Sequence, residues 1–273
     1  MKLATIRHAG AECAAIVDPG AAQAWPLPGR TMQALIEAGA PPSVEGESVA
    51  LDAVELLAPL PRPRRNIFCV GKNYRAHAAE MKSGEAEDGA PIIFSKVPET
   101  VIAAGQPIRI PYGVSEAIDY EAELGVVIGT GGRGITREAA LDHVFGYTII
   151  NDVTARDLQK RHQQWLIGKS LDGFCPMGPW LVTAVDYDPR GASLTLWVNG
   201  EQRQHGEVSD MIFDIPTVIA AISAGTTLLP GDVIATGTPA GVGAGFSPPR
   251  FLKAGDTVRI AITGLGELEN PVV

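Results

Sequence analysis

Residues 117–134 read AIDYEAELGVVIGTGGRG and decide between two fold classes. Acids occupy every second position from 119 to 123 with apolar residues between them, and this period of two predicts one β-strand over residues 117–128. The last six residues, GTGGRG, match the GxGxxG pattern of dinucleotide-binding βαβ units, and Asp152 follows at about the spacing of a ribose-binding acid. The stretch therefore has to be tested against both folds.

Two features argue against the dinucleotide fold. The first strand of such a unit is buried on both faces by helices, whereas this strand carries three acids along one face. Residues 135 and 136 separate the last glycine from a helix predicted near residues 137–143, with Thr136 as its N-cap. That helix is too short for a parallel crossover, which needs about 10–12 residues. We therefore expect no dinucleotide site.

The composition favours a β-rich fold. The chain has 273 residues, of which 45% are hydrophobic, 31 are glycine and 21 are proline, so turns are frequent. We predict strands at residues 2–7, 13–18, 53–58, 66–70, 91–95, 117–128, 145–150, 194–198, 233–236 and 257–263, and helices at 31–38, 73–81, 137–143 and 215–224. The predicted class is α+β, mostly β, with a mixed β-roll or barrel-like sandwich covered by small helices.

Charge and composition also exclude some classes of partner. The formal net charge is −9 without a basic run, which disfavours nucleic-acid binding. No apolar run is long enough for a membrane span, and Arg7 and His8 interrupt the position of a signal peptide. Three cysteines lie far apart and in no CxxC pair, so we expect no structural disulfide and a cytoplasmic location.

The chain is predicted to have two parts. Residues 1–60 form a small N-terminal α/β module without clustered chemical groups, and residues 61–273 form the catalytic domain. Residues 59–65, PLPRPRR, are typical of a linker, because alternating prolines prevent a helix and the arginines stay solvated.

The acids suggest a metal site. Three like charges on one strand face, at Asp119, Glu121 and Glu123, repel unless the face is solvated or binds a cation, and both alternatives remain open from spacing alone. Asp152 ends the apolar run YTIIN, where a carboxylate is poorly placed for simple solvation. An oxygen-only set of ligands selects Mg²⁺, Mn²⁺ or Ca²⁺ over Zn²⁺.

Two further pairs have a structural and a functional interpretation. His77 and Glu80 are three apart on a predicted helix, so the carboxylate can orient the imidazole, or the pair is incidental on a surface helix. Arg156 and Gln159 follow Asp152 at +4 and +7, so a helix starting at Asp152 would place all three side chains on one face. The alternative is that Arg156 forms an ordinary salt bridge in the first turn of a helix.

Six segments over residues 66–273 resemble the fumarylacetoacetate hydrolase family, in the order of that family: GKNYRAHAAEM, DYEAELG, NDVTARDLQ, GKSLDGFCPMGP, VNGEQRQ and TGTPAGVG. The resemblance implies a β-roll catalytic domain, usually dimeric, that holds Mg²⁺ or Mn²⁺. It implies Glu121, Glu123 and Asp152 as metal ligands, and it excludes Asp119.

The same resemblance implies roles for other residues. His77 and Glu80 would lie on a lid and activate water, and Lys169 would stabilise developing negative charge. The implied substrate-binding residues are Lys96, Arg156, Gln159 and Thr238, with Arg156 also supporting the acids.

The family acts on 2-oxo acids whose carboxylate and keto oxygens bind the metal. The complete set of implied residues favours a Mg²⁺-dependent hydrolase that cleaves a C–C bond of an acylpyruvate or diketo acid. The alternative is a decarboxylase or isomerase of aromatic degradation, of the oxaloacetate or 2-hydroxyhepta-2,4-diene-1,7-dioate type, and a metal-holding module without turnover is a third. A homodimer is expected from the family alone.

Overall fold

The computed structural model describes residues 1–40, 42–44, 46–81 and 89–273. The strands are β1 (Lys2–His8), β2 (Ala11–Asp18), β3 (Gln23–Leu27), β4 (Val49–Ala50), β5 (Glu55–Leu57), β6 (Ile67–Gly71), β7 (Ile92–Lys96), β8 (Val101–Ile102), β9 (Ile118–Asp119), β10 (Ala122–Ile128), β11 (Val144–Asn151), β12 (Thr154–Ala155), β13 (Cys175–Thr183), β14 (Ser193–Val198), β15 (Glu201–Glu207), β16 (Val233–Ala235), β17 (Thr257–Ile262) and β18 (Gly266–Pro271). The α-helices are α1 (Met32–Ala38), α2 (Arg75–Glu80), α3 (Arg156–His162), α4 (Leu166–Lys169) and α5 (Ile215–Ser223). Short 3₁₀ helices lie at Leu51–Ala53, Pro98–Thr100, Ala140–His143, Ala184–Asp186, Pro189–Gly191, Val208–Asp210 and Gly243–Gly245. The predicted class, α+β and mostly β, is confirmed.

Twelve strands form one mixed sheet, in the order β4-β3-β2-β1-β13-β11-β10-β16-β6-β7, with β5 beside β1 and β8 beside β13. A second sheet, β15-β14-β17-β18, packs against its central strands. Both faces of the large sheet are covered, because Val126 and Val127 are neighbours in β10 and yet belong to different apolar clusters.

The stretch after β10 does not form a dinucleotide site. Strand β10 pairs antiparallel with β11, so the chain returns beside itself without a parallel crossover. The peptide N–H of Gly129 donates to the carbonyl of His143 at 2.7 Å, which closes this connection. The helix predicted at residues 137–143 is only a 3₁₀ turn at Ala140–His143. The rejection of the dinucleotide fold is confirmed.

The prediction of a single strand at residues 117–128 is wrong, because the chain changes its strand partner in the middle of this stretch. Strand β9 pairs with β12, and β10 begins only at Ala122. Between them, the side chain of Asn151 accepts the N–H of Glu121 at 3.0 Å in place of a strand partner. The face shared by Glu121 and Glu123 therefore does not extend to Asp119.

The N-terminal residues join the large sheet. Strand β1 pairs with β13 through Lys2 opposite Val182 and Leu3 opposite Leu181. Helix α1 begins where predicted: Thr31 accepts the N–H of Ala34 at 3.1 Å as the N-cap. The sheet thus crosses residue 60, and the division into two domains stays a prediction.

Most of the other predicted elements lie within two residues of those observed, and the remaining strands are additions. The most consequential addition is β13, which runs through the centre of the sheet. Cys13, Cys69 and Cys175 are buried and free, as expected. Within the ranges that the structure describes, no helix has the length and apolar character to cross a membrane.

Candidate active site

Three carboxylates meet where two neighbouring strands begin and end. Glu121 precedes β10, Glu123 is its second residue, and Asp152 follows β11. Because Ala122 lies opposite Asn151 in the antiparallel pair, these strand ends lie side by side. Ligand oxygens of the three acids are within 4.8 Å of one another, and all three residues are buried. The structure therefore brings the three predicted metal ligands together.

Asp119 lies outside this cluster. Its carboxylate accepts the backbone N–H groups of Gly243 at 2.6 Å and Ala244 at 3.0 Å, and Nε of Arg156 lies 2.7 Å from Oδ2. Asp119 therefore ties α3 to the glycine-rich loop after β16, which agrees with its exclusion as a ligand.

Three cations hold the acids, namely Lys169, Arg156 and, on the far side of Asp152, Lys96. Nζ of Lys169 donates to Oε2 of Glu121 at 2.6 Å and to Oδ2 of Asp152 at 2.7 Å, while Nη2 of Arg156 lies 2.7 Å from Oε1 of Glu121. Burial by itself lowers the pKa of Lys169, but the charges of Asp152 and Glu121 outweigh burial and raise this pKa. The ammonium group is therefore held in its charged form.

The environment separates the pKa values of the two glutamates. Burial by itself raises the pKa of Glu121, but the charges of Lys169 and Arg156 outweigh burial and bring this pKa below its usual range. For Glu123, burial raises the pKa, and the charges of Asp152 and Glu121 raise it further. The cations around the cluster thus outweigh burial at Glu121 but not at Glu123.

Glu123 is the acid without a matching cation. Its Oε2 accepts the N–H of Gly237 at 2.8 Å, and it has no ion pair within the described part of the chain. Gly237 has a φ of 104°, which favours glycine, and a Cβ there would meet the side chain of Asn73 at 2.7 Å. A buried oxygen-only set with one unmatched charge fits a hard divalent cation such as Mg²⁺ or Mn²⁺.

A cavity of about 560 Å³ opens onto these acids. Its polar wall contains His77, Glu121, Glu123, Arg156, Gln159, Lys169 and Thr238. Its remaining wall is largely apolar, with two lysines, and consists of Val70, Gly71, Lys72, Met81, Phe94, Lys160, Trp165 and Ala244. An anionic carboxylate end and an apolar or second charged end of a small molecule fit this arrangement.

His77 and Glu80 form the predicted pair on α2. Nδ1 of His77 lies 3.3 Å from Oε2 of Glu80, and the imidazole is 6% exposed and lines the cavity. The carboxylate of Glu80 also accepts the N–H of Gly241 on the glycine-rich loop, at 2.9 and 3.2 Å from its two oxygens. Residues 82–88 follow directly and lie outside the described ranges, so the predicted lid is described only as far as Met81.

Gln159 and Thr238 reach the cavity from different elements. Gln159 is on α3, and its Oε1 accepts Nη1 of Arg156 at 3.2 Å, which turns its amide nitrogen away from Arg156. Thr238 is on the loop after β16 and accepts a hydrogen bond from Gln204. Helix α3 begins at Arg156, so Asp152 is not part of it as the +4 and +7 spacing suggested.

Lys96 does not lie on the cavity wall, in contrast to its predicted contact with substrate. It is fully buried behind Asp152, and its Nζ donates to Oδ1 of Asp152 at 2.7 Å, to the carbonyl of Val153 at 3.0 Å and to the carbonyl of Lys169. Since an ammonium group has three protons, these acceptors use all of them. This placement indicates that Lys96 fixes the position of the Asp152 carboxylate and does not contact a molecule in the cavity.

The apolar wall of the cavity was not expected from the sequence. Trp165 lies edge-on to Phe94, with ring centroids 5.0 Å apart, and Gly71 leaves room for its indole, which a Cβ would enter. Lys169 also lies 5.0 Å from the Phe94 ring. Trp165 follows the polar helix α3 in a short turn, and this isolated tryptophan in a polar stretch was the only signal available.

Known proteins resemble this chain in sequence over both of its parts. A family model described as "Fumarylacetoacetate (FAA) hydrolase C-terminal" matches residues 66–273, and one described as "Rv2993c-like, N-terminal" matches residues 1–59. Oxaloacetate tautomerase YisK of Bacillus subtilis (strain 168) is 53% identical over 224 residues, which are 82% of this chain and 74% of that protein.

Two solved structures cover the whole chain. The fumarylacetoacetate hydrolase of Exiguobacterium antarcticum superposes with a TM-score of 0.90 at 42% identity, covering 100% of this chain and 99% of that one. The 2-hydroxyhepta-2,4-diene-1,7-dioate isomerase of Mycobacterium marinum superposes with a TM-score of 0.83 at 39% identity, covering 100% and 98%.

Proposed function

Because the chain belongs to the fumarylacetoacetate hydrolase family, we propose that it is a divalent-metal-dependent isomerase that interconverts the keto and enol forms of a 2-oxo dicarboxylic acid such as oxaloacetate. This is the isomerase branch of the alternative drawn from the sequence. The names of the relatives favour it over cleavage of an acylpyruvate, because a tautomerase and an isomerase of dicarboxylic acids are among them.

The observation that carries the proposal is the position of Lys169, which contacts two of the acids and also lines the cavity. Its charged Nζ contacts Glu121 and Asp152 and lines the space where a 2-oxo acid would sit. Glu121, Glu123 and Asp152 would hold the divalent metal, which would supply Lewis acidity toward the keto oxygen of the substrate. Lys169 adds a fixed positive charge in a buried wall, where it stabilises the negative charge that develops on that oxygen.

Tautomerisation moves one proton between C3 and the keto oxygen, so the site needs a base near C3. His77 lines the cavity, and Glu80 faces its Nδ1 at 3.3 Å, which leaves Nε2 to take the proton from C3. The enolate oxygen takes up a proton from water, and the imidazolium returns its proton to solvent, so that one proton has moved from C3 to oxygen overall. The carboxylate of Glu80 orients the ring and stabilises the imidazolium that forms. The hydroxyl of Thr238, in the wall of the same cavity, would bind the carboxylate of the substrate.

Two lysines in the cavity wall support a substrate with a second carboxylate. Lys72 and Lys160 line the same cavity as the acids, with Phe94 and Trp165 in the wall as well. Oxaloacetate carries its second carboxylate at the end opposite the 2-oxo group, where a cationic rim attracts it.

A hydrolase remains the second candidate, on the strength of the His77–Glu80 pair. An imidazole oriented by a carboxylate is suited to activate water as well as to take a proton from carbon. The Exiguobacterium antarcticum structure named as a fumarylacetoacetate hydrolase is consistent with this candidate.

A substrate panel separates the two. We expect loss of the enol absorbance of oxaloacetate at a rate above the spontaneous one with Mg²⁺, and at the spontaneous rate after treatment with EDTA. A Lys169→Met variant is the negative control. Cleavage of an acylpyruvate without acceleration of oxaloacetate tautomerisation would overturn the proposal in favour of the hydrolase.

We also propose a homodimer, which light scattering tests through the molecular mass in solution. A monomeric mass would contradict it. The cytoplasmic location stays a prediction.

A further inference from the structure

Gln204 connects two parts of the site that come from different sheets. It lies in β15 of the four-stranded sheet and is 1% exposed, whereas the metal-binding acids belong to strands of the large sheet. Its Nε2 donates to Oγ1 of Thr238 and to the carbonyl of Pro239, both at 2.8 Å. Its Oε1 accepts the N–H of Ala122 at 2.9 Å. The amide thereby makes three buried hydrogen bonds.

These partners fix the orientation of the amide. The carbonyl of Pro239 can only accept, and the N–H of Ala122 can only donate, so exchange of the nitrogen and oxygen of Gln204 would lose both bonds. Gln204 therefore donates to Thr238, and the Thr238 oxygen accepts. The hydroxyl proton of Thr238 has to point elsewhere, and Thr238 lines the cavity.

We infer that Gln204 is a positioning residue that directs the hydroxyl proton of Thr238 toward the carboxylate of a bound 2-oxo acid and sets the distance between this hydroxyl and the metal site. Ala122, the residue that Gln204 holds, lies between Glu121 and Glu123. A ligand that binds at the metal site would also reach the Thr238 hydroxyl only if the distance between this hydroxyl and the metal site stays fixed. The inference rests on the proposed function in one respect, namely that the ligand is a 2-oxo acid.

Oxalate is the probe, because it presents the adjacent carboxyl oxygens of a 2-oxo acid and is not turned over. We expect Gln204→Met to weaken oxalate binding in the presence of Mg²⁺ by about 10- to 100-fold, the range for loss of a hydrogen bond to a charged group. Mg²⁺ binding alone should stay unchanged in calorimetry. The matched control is Gln202→Met on the same strand, where the side chain is exposed and both affinities should stay at wild type.

Thr238→Val tests whether Gln204 acts through Thr238. We expect the double variant Gln204→Met, Thr238→Val to bind oxalate no more weakly than Thr238→Val alone. Losses that multiply in full, or a Mg²⁺ affinity that falls together with that for oxalate, would overturn the inference.

If Gln204→Met does not fold, Gln204→Glu takes its place. It keeps the acceptor for Ala122, loses the bond to the carbonyl of Pro239 and turns the partner of Thr238 from a donor into an acceptor. Oxalate should again bind more weakly, with Mg²⁺ binding alone unchanged in the folded variant. Wild-type affinity for oxalate in this variant would contradict the inference. A wild-type protein that binds no oxalate with Mg²⁺ overturns it as well, whereas one that binds oxalate and turns over no 2-oxo acid overturns the proposed function alone.

Discussion

The carboxylate of Glu80 binds the backbone N–H of Gly241 through both of its oxygens, at 2.9 and 3.2 Å. This contact joins α2, which carries His77, to the glycine-rich loop, which carries Thr238. Glu80 therefore makes two contacts, one with the imidazole of His77 and one with the loop. The predicted base and the predicted carboxylate-binding residue are positioned by one side chain.

The first prediction concerns the His77–Glu80 pair. His77→Ala should lower kcat by about 10²–10⁴-fold, the usual range for loss of a general base. Glu80→Gln keeps an acceptor for Gly241 and removes the charge beside the imidazole, so it should cost less. Because the two residues act as a unit, the double variant should be hardly slower than His77→Ala, as measured by steady-state kinetics.

Oxalate should still bind to all three variants, because we expect its contacts to be with the metal, Lys169 and Thr238. Effects on kcat that multiply in full would show that the pair does not act as a unit. Wild-type turnover by His77→Ala would place the base elsewhere.

The second prediction concerns Gly245. A Cβ at this position would overlap the carboxylate group of Glu80, so Gly245→Ala should displace Glu80 from Gly241 and His77. We expect kcat to fall by about 10²-fold, as when a catalytic group moves by about 1 Å. The control is Gly191→Ala, at an exposed glycine where a Cβ meets nothing within 4 Å. Equal kcat in the two variants would show that the contact between Glu80 and Gly241 does not matter for turnover.

The sequence predicted the local parts of the site and missed those that depend on distant partners. Alternation placed Glu121 and Glu123 on one face, because side chains on a strand alternate. The break before Ala122 depends on the side chains of Asn151 and Gln204, which are 30 and 82 residues away in the chain. No local pattern contains that information, and so Asp119 was assigned to the same face.

Strand β13 was missed for a different reason. Pro176 and Pro179 argue against a central strand, since proline lacks the N–H that a ladder needs. The structure accommodates them by a shift in the β11–β13 register between Tyr147 and Ile149. Lys96 shows the same limit, because its three acceptors come from residues 152, 153 and 169, more than 50 residues from it.

The third prediction concerns the metal. Glu123→Gln should abolish Mg²⁺ binding, because two acids hold a hard dication poorly and the unmatched charge is removed. Mg²⁺ at 100 times Kd should raise the free energy of unfolding of the wild type by about 2.7 kcal/mol, and therefore its melting temperature. The melting temperature of the variant should not respond to Mg²⁺. The exposed Glu116→Ala is the control and should respond to Mg²⁺ as the wild type does. Wild-type affinity for Mg²⁺ in Glu123→Gln, by calorimetry, would mean that the ligands lie elsewhere.

The last prediction tests the second carboxylate of the substrate. Lys160 lines the cavity from α3 and is exposed, so Lys160→Gln should raise KM for a 2-oxo dicarboxylate by about 2- to 5-fold, the size of an exposed ion pair, with kcat unchanged. The increase should shrink at high salt, which screens exposed charges. Oxalate has no distal carboxylate, so its inhibition constant should stay at wild type. Arg161→Gln, at the exposed neighbour that does not line the cavity, is the matched control. If both variants raise KM equally, the effect reflects the overall charge of α3, and a weaker inhibition by oxalate in Lys160→Gln would place this lysine at the metal end of the substrate instead.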